Sequence, residues 1–292
     1  MKKILYTFCL MIVLIFLSSG IIAEESVLIL KYPRPHSDKD RRHIYRIKLL
    51  ELALQKTTGE YGLFKIEYSR KKMNQSRAIV MIKNNRGIDL IALPTSKQRE
   101  EELLPIRIPV LKGLLGYRIF IIRSEDRNKF SRVRNFSELK NFSAGSGHDW
   151  LDSEILAHNG ITVVKSSNYE GLFLMLRAGR FNYFPRGVNE AFDEIETRKS
   201  NFKDIEVERT LALHYTFPVY FFVRKDNITL AARIEKGLRA SIADGSFQRL
   251  FNMYNGEYIR KAAINKRKIL RLNNPLLTDE TPVREKNLWL SW

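Results

Sequence analysis

Gly87-Ile88-Asp89-Leu90-Ile91-Ala92-Leu93-Pro94-Thr95-Ser96-Lys97-Gln98-Arg99 is the stretch on which the fold turns. The polar run Asn84-Asn85-Arg86 precedes it. Ile88 to Leu93 is apolar apart from Asp89, the pattern of a short strand buried on both faces. Pro94 stops it, because proline has no N–H to give a sheet ladder. Working back, Gln75–Lys83 reads as a helix and Leu63–Tyr68 as a strand. Tyr45, Leu49, Leu52 and Ala53 recur at helical spacing up to Gly59, and Val27–Tyr32 is another apolar strand. Strands alternating with helices predict an α/β architecture with parallel pairing. Working forward, Leu114–Arg123 is β-rich, and a second alternating series follows. Its strands are Phe142–Ala144, Thr162–Val164 and Phe181–Phe184. Its helices are Asp149–Asn159, Tyr169–Ala178 and Asn189–Thr197. A strand at Phe217–Arg224 comes next, then helices at Leu230–Ala243 and Phe247–Tyr254, a third toward Arg271, and an extended tail from Asn273. Two α/β lobes in succession are expected.

The composition narrows the chemistry. The chain has 292 residues, 44% of them hydrophobic and 28% charged, which are globular proportions. Its single cysteine, Cys9, excludes a disulfide scaffold, a cysteine-rich zinc site and a Cys-x-x-Cys redox pair. The five histidines lack metal-ligand spacing, so neither a metal nor another cofactor is expected. Ser146, His148 and Asp149 carry the letters of a hydrolytic triad, but working triads assemble from separate segments. The net charge of +18 comes from scattered clusters at Lys39–Arg46, Arg70–Arg77, Arg123–Arg134 and Lys261–Arg271. No nucleic-acid reading motif accompanies them, so they read as solvated faces rather than a nucleic-acid stripe.

The start of the chain reads as an export leader over residues 1–23. Lys2 and Lys3 precede the apolar run Ile4–Leu17, and the small residues Ser18 to Ala23 supply a cleavage site. Cleavage after Ala23 removes two lysines and no acid, leaving +16. The run is short of the ~20 residues a spanning helix needs, so a periplasmic protein is expected.

Four places resemble the family 3 periplasmic solute-binding proteins, whose best-known members bind polar amino acids for ABC importers. They are Gly87–Arg99, Ile108-Pro109-Val110-Leu111-Lys112-Gly113, Ala144-Gly145-Ser146-Gly147-His148-Asp149, and Leu176-Arg177-Ala178-Gly179-Arg180-Phe181-Asn182-Tyr183. The resemblance implies a two-lobed α/β fold of the periplasmic-binding-protein type, with a hinge and an interlobe cleft. Residues 24–110 and 215–292 would form one lobe and 111–214 the other. Arg99 would fork onto a ligand carboxylate, a geometry lysine cannot offer, with Thr95 in the turn before it. Ser146, Gly147 and His148 would form a glycine-lined turn at a helix start that meets an anion. Tyr32 would set an aromatic face on the ligand, and Arg107 would approach the cleft near the hinge. The sequence departs from the family where an acid holds the ligand's ammonium: Arg186-Gly187 falls there, with Glu190 one turn on, and Pro94 replaces a threonine.

The expected function is capture of a small carboxylate or amino-acid-like ligand by hinge closure, without catalysis. The implied partners are an ABC permease or a membrane sensor, with no nucleic acid and a monomeric state. Two rivals stand beside it. One is a secreted cyclohexadienyl-type dehydratase using Glu190 or Asp149. The other is a sensor-partner module that binds no amino acid.

Overall fold

The computed structural model describes residues 27–35 and 37–291, so the expected leader lies outside the described residues. The strands, in chain order, are β1 (Leu28–Arg34), β2 (Phe64–Lys72), β3 (Leu90–Pro94), β4 (Leu103–Ile106), β5 (Tyr117–Arg123), β6 (Ala144–Gly147), β7 (Val163–Ser166), β8 (Tyr183–Gly187), β9 (Ile205–Val207), β10 (Leu211–His214), β11 (Val219–Arg224) and β12 (Lys268–Arg271).

The first lobe holds two short sheets. β1 and β2 run parallel, with Leu28 opposite Phe64 and Tyr32 opposite Tyr68. β11 lies antiparallel between β3 and β4. β1 is joined to β3 mainly by side chains. The only backbone bond across that seam among the described residues runs from Asp89 N to Lys31 O, at 2.9 Å. Asp89 Oδ2 accepts from Lys31 N at 2.6 Å, Tyr32 OH accepts from Ala92 N at 3.2 Å, and Arg46 Nη1 donates to Ala92 O at 3.1 Å. The helix Gln75–Lys83 forms where its pattern predicts, because Asn74 Oδ1 accepts from Arg77 N at 2.9 Å and satisfies an orphan first-turn donor. Its apolar face, Ala78, Ile79 and Ile82, packs with Ile91, Leu93, Tyr220 and Phe222. On the other side the helix Ile44–Gln55 lies against the long helix Ile228–Ala243. Their backbones approach so closely at Gly237 that a Cβ there would sit 1.9 Å from Ala53 O.

The second lobe is one sheet in the order β12-β10-β5-β8-β6-β7, with β9 also on β5. β6 pairs parallel with β7 and β8, while β5 runs antiparallel to β8 and β10. Its core is aromatic: Phe120 sits 4.6 Å from Tyr183 and 6.1 Å from Phe130, centroid to centroid. The two crossing segments lie side by side, with Val110 N donating to Val219 O at 2.9 Å and Tyr215 N to Gly116 O at 3.2 Å.

Three expectations are corrected. The glycine-rich stretch Ala144–Gly147 is itself strand β6, not a turn opening a helix, and the helix after it starts only at Asp152. The two C-terminal helices expected beyond Phe247 are one helix, Ser246–Ala262. The residues after it were placed with the first lobe and expected to be helical. Lys268–Arg271 is instead strand β12, parallel to β10 on the edge of the second lobe's sheet. Buried Leu270 and Leu272 on either side of exposed Arg271 are the strand signal there. The short strands β4, β9 and β10 were too brief to be legible by periodicity.

Candidate functional site

Arg99 is placed by its own helix cap. Ser96 Oγ accepts from Arg99 N at 3.2 Å and opens the helix Lys97–Glu102. The Arg99 side chain is 6% exposed. Its Nη1 donates to Pro94 O at 2.8 Å, and its Nη2 donates to Gln75 Oε1 at 2.9 Å and, across the cleft, to Asp149 O at 3.4 Å. Among the described residues no carboxylate forms an ion pair with it. Burial pulls the guanidinium down to about 10, against the opposing pull of Asp149, Asp152 and Glu154 nearby, so it stays charged at neutral pH. Asp149 Oδ2 in turn accepts from Ser76 N at 3.2 Å. A cavity of about 370 Å³ opens beside these groups, lined by Ser96, Arg99, His148, Asp149 and Lys165 among others.

Arg186 is also buried, but it is not an unpaired cation. Its Nε and Nη2 donate to the two oxygens of Glu194 at 2.8 and 2.7 Å, and Nη2 lies 3.1 Å from Glu190 Oε2. The guanidinium stacks 4.6 Å over the Trp150 ring. Glu190 Oε2 also accepts from Gly187 N at 3.0 Å and pairs with Arg118 at 3.2 Å. Arg118 pairs with Asp152 at 2.6 Å and donates to Tyr215 OH at 3.0 Å, while Tyr215 donates to Asp152. Burial works to raise the Glu190 carboxyl, but Arg186, Arg118, Arg42 and Arg46 outweigh it and hold the group at about 2. Gly187 has no room for a side chain: a Cβ there would meet Leu115 at 2.7 Å and Glu190 Oε2 at 3.1 Å. Glu190 therefore supplies the carboxylate at this strand end, already consumed by two arginines.

The other predicted residues have local partners. Tyr32 is buried and its hydroxyl serves the β1–β3 seam. Thr95 is fully buried, donating to Glu100 Oε1 at 2.5 Å and from its backbone to Pro218 O at 3.0 Å. Arg107 turns to Glu100, at 2.6 Å, and to Glu280. Ser146 Oγ accepts from Ser153 at 2.9 Å. Gly145 and Gly147 admit aromatic rings, since Cβ atoms there would come within 2.2 Å of Phe181 and 2.4 Å of Trp150. His148 N is spent on Ser166 O at 2.9 Å, and its side chain is exposed. The structure thus brings Arg99 to the strand-end segment Gly147–Asp149, where His148 N serves the sheet.

Sequence reasoning missed Gln75, Arg42, Arg118 and Tyr169. Arg42 pairs with Asp40 at 2.7 Å and crosses the cleft to lie 4.2 Å over Tyr169 and 5.6 Å over Trp150. Ser37 Oγ donates across to Glu170 at 2.7 Å, and Arg41 reaches Asp193 at 3.6 Å. At the centre, among Arg42, Gln75, Arg118, Trp150, Arg186 and Glu190, only about 40 Å³ remains, room for a water or two. The one signal in the sequence was the Lys39–Arg46 cluster, whose Arg42 and Arg46 turn inward while Arg41 stays exposed.

The lobes, the adjacent crossings and the cleft between strand ends match solved structures over most of the chain. The fold is that of the two-lobed periplasmic binding proteins. An ancestral arginine-binding protein bound to arginine is 17% identical, with a TM-score of 0.57, covering 77% of this chain and 97% of that one. A Salmonella typhimurium periplasmic binding protein of high arginine specificity is 16% identical, with a TM-score of 0.58 over 78% of this chain and all of its own. A histidine kinase sensor domain similar to periplasmic binding proteins is also 16% identical, at 0.58, over 80% of this chain and 97% of its own. At these identities the periplasmic-binding-protein likeness establishes the fold. No family profile and no curated sequence matches the chain. No helix among the described residues is long and apolar enough to cross a membrane.

Proposed function

We propose that the protein is an exported, periplasmic solute-binding protein that captures a small carboxylate lacking an α-ammonium between its lobes. It would act as a monomer and present the closed form to an ABC permease or a membrane sensor. The observation that carries this reading is Arg99, a buried charged guanidinium at the cleft mouth held only by neutral oxygens, Pro94 O, Gln75 Oε1 and Asp149 O. A carboxylate entering as the lobes part replaces the Gln75 and Asp149 oxygens with a charge-assisted pair. An ammonium gains nothing comparable, because Glu190 is occupied by Arg118 and Arg186. The same occupation argues against Glu190 as the acid of the dehydratase rival. A carboxyl held at about 2 is ionised at neutral pH and has no proton to give a leaving group.

Thermal-shift titration of the purified protein tests the reading. Dicarboxylates and 2-oxo acids are expected to raise the midpoint, and neutral sugars are not. Arg99→Ala removes charge-assisted bonds worth ~1.5–3 kcal/mol, so it weakens binding roughly 10- to 100-fold, and Arg99→Lys recovers little. Equal affinity in Arg99→Ala overturns the site. A second reading, a sensor-partner module with no small ligand, is favoured by the ~40 Å³ left at the centre and by the bonds already made across the cleft. It becomes the better account when none of these acids shifts the wild-type midpoint.

A further inference from the structure

Beyond Arg271 the chain leaves the second lobe and runs back across the molecule, touching every part that must move on opening. On the second lobe, Leu272 N donates to His214 O at 2.9 Å. Asn273 and Asn159 make a reciprocal pair, Asn159 Nδ2 to Asn273 O at 2.8 Å and Asn273 N to Asn159 Oδ1 at 3.0 Å. At one crossing, Asn274 Nδ2 donates to Thr216 O at 2.9 Å. On the first lobe, Leu276 O accepts from Lys97 N at 3.0 Å, Thr278 Oγ1 contacts Glu100 at 3.3 Å, and Glu280 pairs with Arg107. At the other crossing, Leu290 N donates to Lys112 O at 2.8 Å, and Trp289 fills the space where Gly113 has no side chain, 2.6 Å from an ideal Cβ. Lys112 and Gly113 there have φ of 50° and 75°, the kind of backbone that a change of hinge angle must rework.

We propose that residues 272–291 form a brace that limits how far the lobes separate. The decisive part is short. Asn273 is fastened to the second lobe and Leu276 to the first, and a three-residue span reaches at most about 10 Å. It is also stiff. Pro275 has a fixed φ and restricts Asn274 before it, and Asn274 Oδ1 accepts from Leu276 N at 3.0 Å, closing a side-chain turn. The short part is fastened to the helix that carries Arg99, through Lys97 and Glu100. Opening therefore strains the strap and the Arg99 helix together, and releasing the strap loosens both. The inference holds whichever solute the cleft takes.

The test is a distance measurement on the full chain. Spin labels are placed on exposed sites of opposite lobes with Arg86→Cys and Lys199→Cys in a Cys9→Ser background. The wild-type strap is expected to give one narrow distribution. Four glycines inserted between Asn274 and Pro275 lengthen the span by up to ~13 Å and should add a population at longer distance. Asn159→Ala, which removes the reciprocal pair without touching the strap, should shift the distribution the same way by less, and it serves as the readout when the insertion fails to fold. Distributions identical to wild type in folded variants overturn the brace.

Discussion

Arg186→Leu lowers the unfolding free energy by ~3–5 kcal/mol, the cost of breaking a buried ion pair from one side. Arg186 is 2% exposed and satisfies both oxygens of Glu194 and one of Glu190. Without it, among the described residues Glu194 keeps the Tyr169 hydroxyl at 2.6 Å on its side chain, and Glu190 keeps Arg118 and the Gly187 N–H. Leucine supplies no donor to either. The double variant Arg186→Leu with Glu194→Leu recovers much of the loss, because replacing a whole pair costs far less than orphaning half of it. Urea denaturation of the three proteins checks both statements. A single variant as stable as wild type would show that the pair contributes nothing.

The pairing of Glu190 with Arg186 and Arg118 predicts the acid limb of the stability curve. Glu190 is held at about 2, below its ordinary 4.5. A depressed folded-state value gives stability that is complete above pH 4.5 and is lost as the pH falls through about 2. In Arg186→Leu the Glu190 carboxylate loses the arginine that lowers it most, so less of the variant's stability is lost on acidification. The gap between wild type and variant therefore narrows from pH 7 to pH 3. A gap that widens on acidification contradicts the assignment.

Gly237→Val is expected to cost ~3 kcal/mol, at the upper end of the range for overpacked sites. The obstacle is backbone, not a side chain that can swing away. A Cβ at 237 lies 1.9 Å from Ala53 O and 2.5 Å from Ala53 C. The helices Ile44–Gln55 and Ile228–Ala243 must separate, and Leu49, Leu50, Leu238 and Ile234, all fully buried, lose contacts with them. Alanine at 237 meets the same obstacle, offset in part by ~1 kcal/mol of helix propensity. Thermal and urea unfolding of the two variants measure the difference. Wild-type stability in Gly237→Val excludes so close an approach of the helices.

The layered α/β plan was legible because its elements carry single, local signals. Gln75–Lys83 has a cap residue and one apolar face, and Leu90–Leu93 is an uninterrupted apolar run within β3. What the sequence hid were properties of packing between distant segments. Gly145-Ser146-Gly147 resembles an anion-meeting turn in one dimension, yet its glycines make room for the rings of Phe181 and Trp150. Lys39–Arg46 reads as a solvated basic face, yet Arg42 and Arg46 turn inward because Asp40, Tyr169 and the Ala92 carbonyl wait there. Arg186 stands where the resemblance implies an acid. Its neutralisation by Glu194, eight residues along, spans two helical turns and a strand end that no spacing rule anticipates. Arg99 was legible because its cap, Ser96, and its strand, β3, are its immediate neighbours.

The seam between β1 and β3 has a consequence for how the first lobe comes apart. A leaf fastened by phenol, guanidinium and carboxylate groups, rather than by a continuous ladder, can detach as one piece while β3, β11 and β4 stay paired. Amide hydrogens of β1 and β2 are then expected to exchange together, faster than those of β11. Asp89→Asn and Tyr32→Phe should accelerate that exchange without moving the β11 rates. Pro33 to Pro35 at the end of β1 lead into Ser37 and Arg42, which reach Glu170 and Tyr169 on the other lobe, so loosening of the leaf is expected to reach those contacts as well.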